Sequence, residues 1–287
     1  MASPSQKQIL ATENSVAIEK QSKLFDILRG VDSLLVAFSG GADSAYLAWA
    51  AHRTIGEGAL AITALSASFS AHDREQAEQF IRVTGIRHAF IETNEFENPL
   101  YVANNADRCY FCKDELFDRM ATIASDQNFN AIAYGVNADD TRDFRPGHRA
   151  ANEHRVLAPL LEANLHKEEI RFLSRQAELP TWDRPASACL SSRIPYGTPV
   201  TPELLRKIEA GEAVLRELGF QQFRVRVHGT SGEVARIELA PEEFDRGLDP
   251  QIALQIAARL KNAGFAFVAL DLEGYRQGSL NSLLKLK

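Results

Sequence analysis

The chain of 287 residues has only three cysteines, two methionines and no long run of apolar residues. An odd cysteine count argues against a disulfide framework, and the start of the chain lacks the basic and apolar regions of a secretory signal. No stretch approaches the roughly 18 apolar residues that a membrane span needs. The formal net charge of -6 argues against a protein that coats nucleic acid. We therefore expect a cytoplasmic protein without a membrane or nucleic-acid partner, whose thiols serve chemistry or metal binding.

The sequence does have a regular alternation of apolar runs and helical patterns. Strands are predicted at 33–38, 60–65, 88–92 and 131–135, and helices at 1–30, 45–51, 73–84, 114–128 and 165–177. This order predicts an α/β fold with a parallel sheet and helices on both faces. Ligands in such sheets bind beyond the carboxyl ends of the strands.

The pattern changes after Pro180, where a linker rich in proline, serine and arginine begins. Beyond it, a helix is predicted to start at Thr201-Pro202, with threonine as the N-cap. Two strands at 223–228 and 233–239, a helix at 250–263 and a strand at 265–270 follow. We therefore predict a first domain at 1–185 and a smaller α+β domain at 196–287.

A glycine-rich loop, Phe38-Ser-Gly-Gly-Ala-Asp-Ser44, connects the first strand to the next helix. Two glycines let the backbone approach a ligand, and the N-terminus of the helix offers free N–H groups to a phosphate. The loop lacks the Gly-Lys-Ser/Thr ending of a Walker A motif and the GxGxxG pattern of dinucleotide sites. Asp43 beside an anion either holds Mg²⁺ or ties the loop down.

Further candidates lie where the later strands end. Ser66, Gly135 and Asn137 are expected at the ligand edge of the sheet. Three carboxylates and an arginine follow, and they either serve Mg²⁺ and phosphate or form a solvated turn: Asp139, Asp140, Asp143 and Arg145.

The three cysteines form a CxxC pair, Cys109 and Cys112, and a distant Cys189. The pair is predicted to open a helix that begins near Lys113. Three thiolates can hold a [4Fe–4S] cluster with one iron open to an exogenous ligand. A zinc site completed by a histidine (His52, His72 or His148) and a redox dithiol are the alternatives.

The motif SGGxDS resembles the PP-loop of ATP pyrophosphatases, which cleave ATP between the α and β phosphates. Nearly the whole chain resembles the LarE family of ATP-dependent sulfur transferases. The resemblance rests on FSGGADS, on PASACLSSRIPYGTPVT, on FRVRVHG followed by ARIEL, and on LDLEGYRQGSLN. It implies a PP-loop domain followed by a small C-terminal domain.

The resemblance also implies a reaction. Each carboxylate of pyridinium-3,5-biscarboxylic acid mononucleotide is adenylylated and then converted to a thiocarboxylate, as part of the synthesis of a nickel-pincer cofactor. ATP, Mg²⁺ and, in the three-cysteine variety, a [4Fe–4S] cluster take part. The product is expected to pass to a nickel-inserting cyclometallase, and we expect a homo-oligomer.

The roles implied for individual residues fall into four groups. ATP is bound by Ala37, Phe38, Ser39, Gly40, Gly41, Asp43, Ser44, Ser66, Gly135 and Asn137. Catalysis involves Cys189, Asp43 and Lys113, although a surface lysine is an equally good interpretation of the last. The substrate is bound by Ser192, Arg193, Glu212, Arg224, Arg226 and Arg276. The cluster is bound by Cys109, Cys112 and Cys189, while Glu212, Glu238 and Asp245 match carboxylates near a subunit junction.

Three alternatives stay open. In a second variety of the family, the cysteine matching Cys189 gives up its own sulfur and becomes dehydroalanine. A tRNA-thiolating enzyme also pairs a PP-loop with three cysteines, but the net charge disfavours it. A nucleotide-binding redox or metal sensor would leave the arginines of the second domain without a role.

Overall fold

A computed structural model describes residues 4–142, 146–185, 188–229, 231–276 and 279–280, without the side chains of 4–13 and 141–142. The chain forms two compact units. The first comprises residues 1–66, 71–94 and 112–187, and the second comprises 67–70, 95–111 and 188–287. The second unit thus includes two segments that lie inside the range 1–185, which the sequence assigned to the first domain.

The helices and strands follow in chain order. They are α1 (Pro4–Arg29), β1 (Leu34–Ala37), α2 (Ala42–Ile55), β2 (Ala59–Leu65), α3 (Ala71–Thr84), β3 (His88–Glu92), α4 (Pro99–Val102), α5 (Arg108–Gln127), β4 (Ala131–Tyr134), α6 (Pro146–Glu153), α7 (Pro159–Glu162), α8 (Lys167–Gln176), α9 (Pro202–Glu217), β5 (Phe223–His228), β6 (Val234–Leu239), α10 (Phe244–Leu248), α11 (Pro250–Asn262) and β7 (Phe267–Leu270). Short 3₁₀ segments connect several of them. No helix in the described ranges is long and apolar enough to cross a membrane.

The first unit is built on a four-stranded sheet in the order β3-β2-β1-β4, and all pairs are parallel. The central strand β1 is fully buried at Leu34, Leu35 and Val36, because neighbours cover it on both sides. The predicted α/β fold is confirmed. Helix α2 begins at Ala42, directly after the second glycine of the loop, and buries Tyr46 and Leu47 completely.

The second unit contains a three-stranded sheet in the order β5-β6-β7, with β5 antiparallel and β7 parallel to β6. Helix α9 begins at its predicted N-cap, since the Thr201 hydroxyl accepts a hydrogen bond from the Leu204 N–H at 3.2 Å. The smaller α+β unit is confirmed. Four short helices, α4, α6, α7 and α10, were not predicted, because each has eight residues or fewer and little periodicity.

The start of α5 differs from the prediction. The helix begins at Arg108 and not near Lys113, so the CxxC pair lies inside its first two turns. Cys109 and Cys112 are therefore one helical turn apart. The division between the compact units falls within this helix, between Phe111 and Cys112.

Candidate functional site

The two serines of the glycine loop in the first unit form hydrogen bonds within the loop. The Ser39 and Ser44 hydroxyls lie 3.0 Å apart, and the Ser44 hydroxyl donates to the Gly41 carbonyl at 3.1 Å. Gly40 has a φ of +77°, a left-handed conformation that favours glycine. Gly41 is the N-cap of α2 and offers no side chain to its N–H groups. The loop therefore presents backbone donors and a positive helix end, as an anion site requires.

The end of strand β4 packs directly against this loop. A Cβ added to Gly135 would lie 2.8 Å from the backbone N and Cα of Ser44, so only glycine fits without moving the loop. Asn137, two residues further on, donates from its side-chain amide to the Asp43 carboxylate at 3.2 Å. Gly135 and Asn137, which follow β4, thus contact Ser44 and Asp43 at the start of α2.

Asp43 lies in an unfavourable environment for a carboxylate. Burial, followed by the negative charge of Asp140, raises the pKa of Asp43 to about 6. Lys167 and Arg171 act in the opposite direction, and Lys167 forms an ion pair with the buried Asp140 at 3.0 Å. The half-buried Asp43 and the buried Asp140 repel each other beside the glycine loop, and a divalent cation would relieve this repulsion.

Arg184 supports the loop, a role that was not predicted from the sequence. Its guanidinium donates to the Gly40 carbonyl at 2.6 Å and to the Asp73 carboxylate at 2.7 Å. Burial lowers the pKa of Arg184, an effect that Asp73 opposes. A residue in an irregular segment, 144 positions from its glycine partner, leaves no periodic signal in the sequence.

The other residues predicted to bind the nucleotide, Phe38 and Ser66 among them, lie at the ends of strands of the first unit. Phe38 donates its N–H to the Ile62 carbonyl at 2.8 Å and accepts from the Thr63 hydroxyl at 2.7 Å, which continues the sheet past Ala37. Ser66 directly follows β2. These positions lie at the carboxyl ends of β1 and β2, where the fold predicts ligand binding.

Lys113 and Asp139 have structural contacts. The Lys113 ammonium lies 4.8 Å from the centroid of the Tyr134 ring, a cation–aromatic arrangement. Asp139 accepts hydrogen bonds from the His166 ring and the Lys167 N–H, both at 2.8 Å, and these bonds lower its pKa. Asp139 therefore holds the start of α8. Asp143 and Arg145 lie outside the described residues.

The first unit also contains a cluster that the sequence did not indicate. Ligand atoms of Asp114, Asp118 and His154 all lie within 4.8 Å of one another. The His154 ring faces Asp114 at 2.8 Å and Asp118 at 3.7 Å, so the cluster connects α5 to the end of α6.

In the second unit, Cys109 and Cys189, which are 80 positions apart in the chain, share two neighbouring residues. Both thiols interact electrostatically with Arg108 and with Tyr196, and burial together with Cys109 raises the pKa of Tyr196. All three cysteines are free thiols; Cys109 and Cys189 are exposed, and Cys112 is partly exposed. Accessible thiols outside any disulfide are the donor set that an iron–sulfur cluster requires, so the residues present fit such a group.

Arg193 and Glu212 form a buried ion pair in the second unit. Two guanidinium nitrogens lie 2.8 and 3.0 Å from the two carboxylate oxygens, a bidentate geometry. A third nitrogen of Arg193 donates to the Cys189 carbonyl at 3.1 Å and to the Ser192 hydroxyl at 3.0 Å. Arg193 thus connects α9 to the segment that carries Cys189.

A second buried pair joins Arg226 to Glu238 across β5 and β6, at 2.8 and 3.0 Å. Arg236 also contacts Glu238 at 3.1 Å. Arg224, on the same face of β5 as Arg226, lies 5.0 Å from the Tyr275 ring centroid. Burial and the charge of Arg193 lower the pKa of Arg224, so this face concentrates positive charge.

The two remaining predicted residues lie on the surface of the second unit. Arg276 forms an exposed ion pair with Glu273. Asp245 lies in the first turn of the short helix α10, where its charge complements the helix dipole.

The chain is similar in sequence to several known proteins. No model of a known protein family matches the chain. An uncharacterized protein of Synechocystis sp. is 43% identical over 254 residues, which cover 88% of this chain and 94% of the relative. An uncharacterized protein of Methanocaldococcus jannaschii is 29% identical over 175 residues, covering 61% of this chain and 66% of the relative.

A relative with a named activity aligns over almost its whole length. The pyridinium-3,5-bisthiocarboxylic acid mononucleotide synthase of Lactiplantibacillus plantarum is 31% identical over 271 residues, which cover 92% of this chain and 95% of the relative. The chain therefore belongs to the LarE family, that of pyridinium-3,5-bisthiocarboxylic acid mononucleotide synthase.

Proposed function

We propose that this protein is an ATP-dependent sulfur transferase that converts the two carboxylates of pyridinium-3,5-biscarboxylic acid mononucleotide to thiocarboxylates. The observation that carries the proposal is the alignment with the Lactiplantibacillus plantarum synthase over 95% of that protein. The loop around Gly40 and Gly41 and the exposed thiols supply the chemical reasons.

The loop would bind ATP through its phosphates. A carboxylate is a poor electrophile, because an oxide ion is a poor leaving group. When a carboxylate oxygen of the substrate attacks the α-phosphorus, pyrophosphate leaves and an acyl-adenylate forms. A sulfur nucleophile then attacks the acyl carbon and AMP departs. The N–H groups at the start of α2 would stabilise phosphate charge during the first step, and the Ser39 and Ser44 hydroxyls would hold the loop that presents them.

Asp43 and Asp140 are the residues that would hold Mg²⁺. Asp140 is buried and Asp43 is half-buried, and the charge of Asp140 opposes ionisation of Asp43. Mg²⁺ binds preferentially to carboxylate and phosphate oxygens together. When bound, it would neutralise phosphate charge, while Asn137 keeps the Asp43 carboxylate oriented through its amide.

The cysteines would serve the sulfur step. Cys109, Cys112 and Cys189 are the residues that would hold a [4Fe–4S] cluster, which when bound would supply the transferred sulfur. Arg193 keeps the Cys189 segment in place through the Cys189 carbonyl, so its effect on the reaction would be one of position.

The arginines of the second unit would bind the substrate phosphate and carboxylates. Arg193 and Arg226 each have a bidentate carboxylate partner, whereas Arg224 stacks on Tyr275 and is destabilised by the charge of Arg193. A bound anion would offset that repulsion, which makes Arg224 the leading candidate among the three.

The ATP step is tested by pyrophosphate release. We expect release to depend on the pyridinium dicarboxylate nucleotide and on Mg²⁺, and to be abolished by Asp43→Ala. The exposed Asp26→Ala should release pyrophosphate at the parent rate. Release by the Asp43→Ala protein would show that the loop is not the ATP site. Release that requires tRNA in place of the pyridinium nucleotide would identify a tRNA-thiolating enzyme.

The sulfur step is tested separately by anaerobic reconstitution with iron and sulfide, elemental analysis and mass spectrometry after turnover. We expect bound iron that Cys109→Ala removes, and an unchanged mass at Cys189. Unchanged iron content in Cys109→Ala would contradict the cluster. Loss of the mass of hydrogen sulfide at Cys189 would identify sacrificial donation by that residue.

A further inference from the structure

Arg108, the first residue of α5, is a buried arginine at the junction of the two cysteine segments of the second unit. Its side chain is almost inaccessible, with 4% relative exposure. One guanidinium nitrogen donates to the Asn104 side-chain oxygen at 2.6 Å and to the Ser191 carbonyl at 2.7 Å. The other lies 3.8 Å from the Cys109 sulfur.

The partners of Arg108 differ from those of the other buried arginines in this unit. Arg193 and Arg226 each have a bidentate carboxylate. Within the described ranges, no aspartate or glutamate forms an ion pair with Arg108. Because a buried charge is unfavourable without an opposite one, its counterion has to come from another group. The Cys109 sulfur lies 3.8 Å from one terminal nitrogen of Arg108, and the Ser191 carbonyl joins the other terminal nitrogen to the turn that follows Cys189.

The hydrogen bonds of Arg108 also join two distant segments. Asn104 has a φ of +54° and donates from its side chain to the carbonyls of Pro195 and Thr198, both at 2.9 Å. Arg108 donates to the oxygen of the same Asn104 side chain and to the Ser191 carbonyl. The Tyr101 and Ser191 hydroxyls lie 2.8 Å apart. The turn after Cys189 is thus fixed to the segment that leads into Cys109.

We propose that Arg108 is a positioning residue that holds the Cys189 turn beside Cys109 and supplies the positive charge facing an anionic sulfur centre at these two cysteines. The inference deepens the proposed function, because it assigns a residue to the sulfur-handling site. It does not require that the centre be an iron–sulfur cluster, since two thiolates or a sulfur anion held between them present the same charge.

The test measures thiol proximity in the metal-free protein. In a Cys112→Ser background, the remaining thiols are Cys109 and Cys189. Dibromobimane becomes fluorescent when it joins two neighbouring thiols of one chain. We expect strong fluorescence in this background, most of it lost in Arg108→Met, and a partial loss in Arg108→Lys, which keeps the charge but not the planar fork. Arg246→Met is the matched control, because Arg246 binds backbone carbonyls of Leu218 and Gly219 in the same unit.

Unchanged crosslinking in Arg108→Met or in Arg108→Lys would overturn the positioning role. If Arg108→Met does not fold, as judged by circular dichroism, Arg108→Lys decides the outcome. A second measurement tests the role of the Arg108 charge. Each Arg108 variant is reconstituted with all three cysteines present, and its bound iron and sulfide are measured. We expect less bound sulfide in Arg108→Met than in Arg108→Lys, and equal loss in both would overturn the electrostatic part.

This design separates the inference from the proposed function. A parent protein that binds no iron, but whose thiol crosslinking depends on Arg108, would contradict the cluster and support the inference. A parent protein that binds iron and forms thiocarboxylate, with crosslinking and sulfide content independent of Arg108, would support the proposed function and contradict the inference.

Discussion

The two units bury charge in different ways. In the second unit, Arg226 and Glu238 form a bidentate pair, and the Glu238 side chain is completely inaccessible. In the first unit, Asp43 is half-buried near the buried Asp140, and burial followed by the charge of Asp140 raises the pKa of Asp43 to about 6. The second unit thus satisfies much of its buried charge internally, whereas the first keeps two carboxylates together at the loop.

We interpret the Arg226–Glu238 pair as structural, and we propose that Asp43 and Asp140 belong to a ligand site. A buried pair with two short hydrogen bonds needs no further partner, and breaking it leaves an isolated charge. Two neighbouring carboxylates repel each other, and a bound cation would relieve that repulsion, which is the role that we propose for Asp43 and Asp140. The following variants test this contrast through the free energy of unfolding.

The largest expected effect is that of Glu238→Ala. Loss of the Glu238 carboxylate leaves Arg226 buried without a carboxylate partner and removes one partner of Arg236. We expect the free energy of unfolding to fall by about 3 to 5 kcal/mol, measured by urea denaturation. Glu242→Ala, at an exposed glutamate of the same unit, should change it by less than about 0.5 kcal/mol. A fall in Glu238→Ala as small as that of the control would show that the pair is not structural.

Asp43→Asn should instead raise the free energy of unfolding. The pKa of Asp43 is raised from 3.8 to about 6 in the folded protein, so the unfolded chain loses its proton first as the pH rises. The free energy of unfolding of the parent therefore falls between these two pH values. We expect Asp43→Asn to be more stable than the parent by roughly 2 to 3 kcal/mol at neutral pH, and equally stable below about pH 4.

Urea denaturation of the ligand-free protein across this pH range measures the gain. Asp26→Asn is the control, because Asp26 is an exposed aspartate paired with Arg29 on the surface of α1. Its effect should stay below about 1 kcal/mol at every pH. An Asp43→Asn protein less stable than the parent at neutral pH would show that the carboxylate is stabilised without a cation, and the contrast between the units would disappear.

The smallest expected effect concerns local capping in the second unit. Thr201→Ala removes the hydroxyl that accepts from the Leu204 N–H at 3.2 Å. We expect a loss of about 1 kcal/mol in the free energy of unfolding, while Thr201→Ser keeps the acceptor and should be close to the parent. Equal losses in both variants would point to the methyl group and not to the cap.

Several elements could be predicted because their signals are local. The apolar run of β1, the glycine loop and the Thr201-Pro202 helix start are each contained in a few consecutive residues, and each lies where it was predicted. The start of α5 was placed too late, because Tyr110 and Phe111 are weaker helix formers than the residues that follow. Contacts of Arg108 with Asn104 and Ser191 fix the first turn, and the second of these is 83 positions away in the chain.

The sequence by itself determined the α/β and α+β units, the loop at the end of β1 and membership of the LarE family, because hydrophobic periodicity and contiguous motifs encode them. Only the tertiary structure decided which charges meet. The Asn137 amide reaches Asp43 across 94 positions, and Arg193 reaches Glu212 across 19. Such partners depend on how strands and helices pack. Residue type alone therefore could not distinguish Arg193, which pairs with a glutamate, from Arg108, which lies beside the Cys109 sulfur.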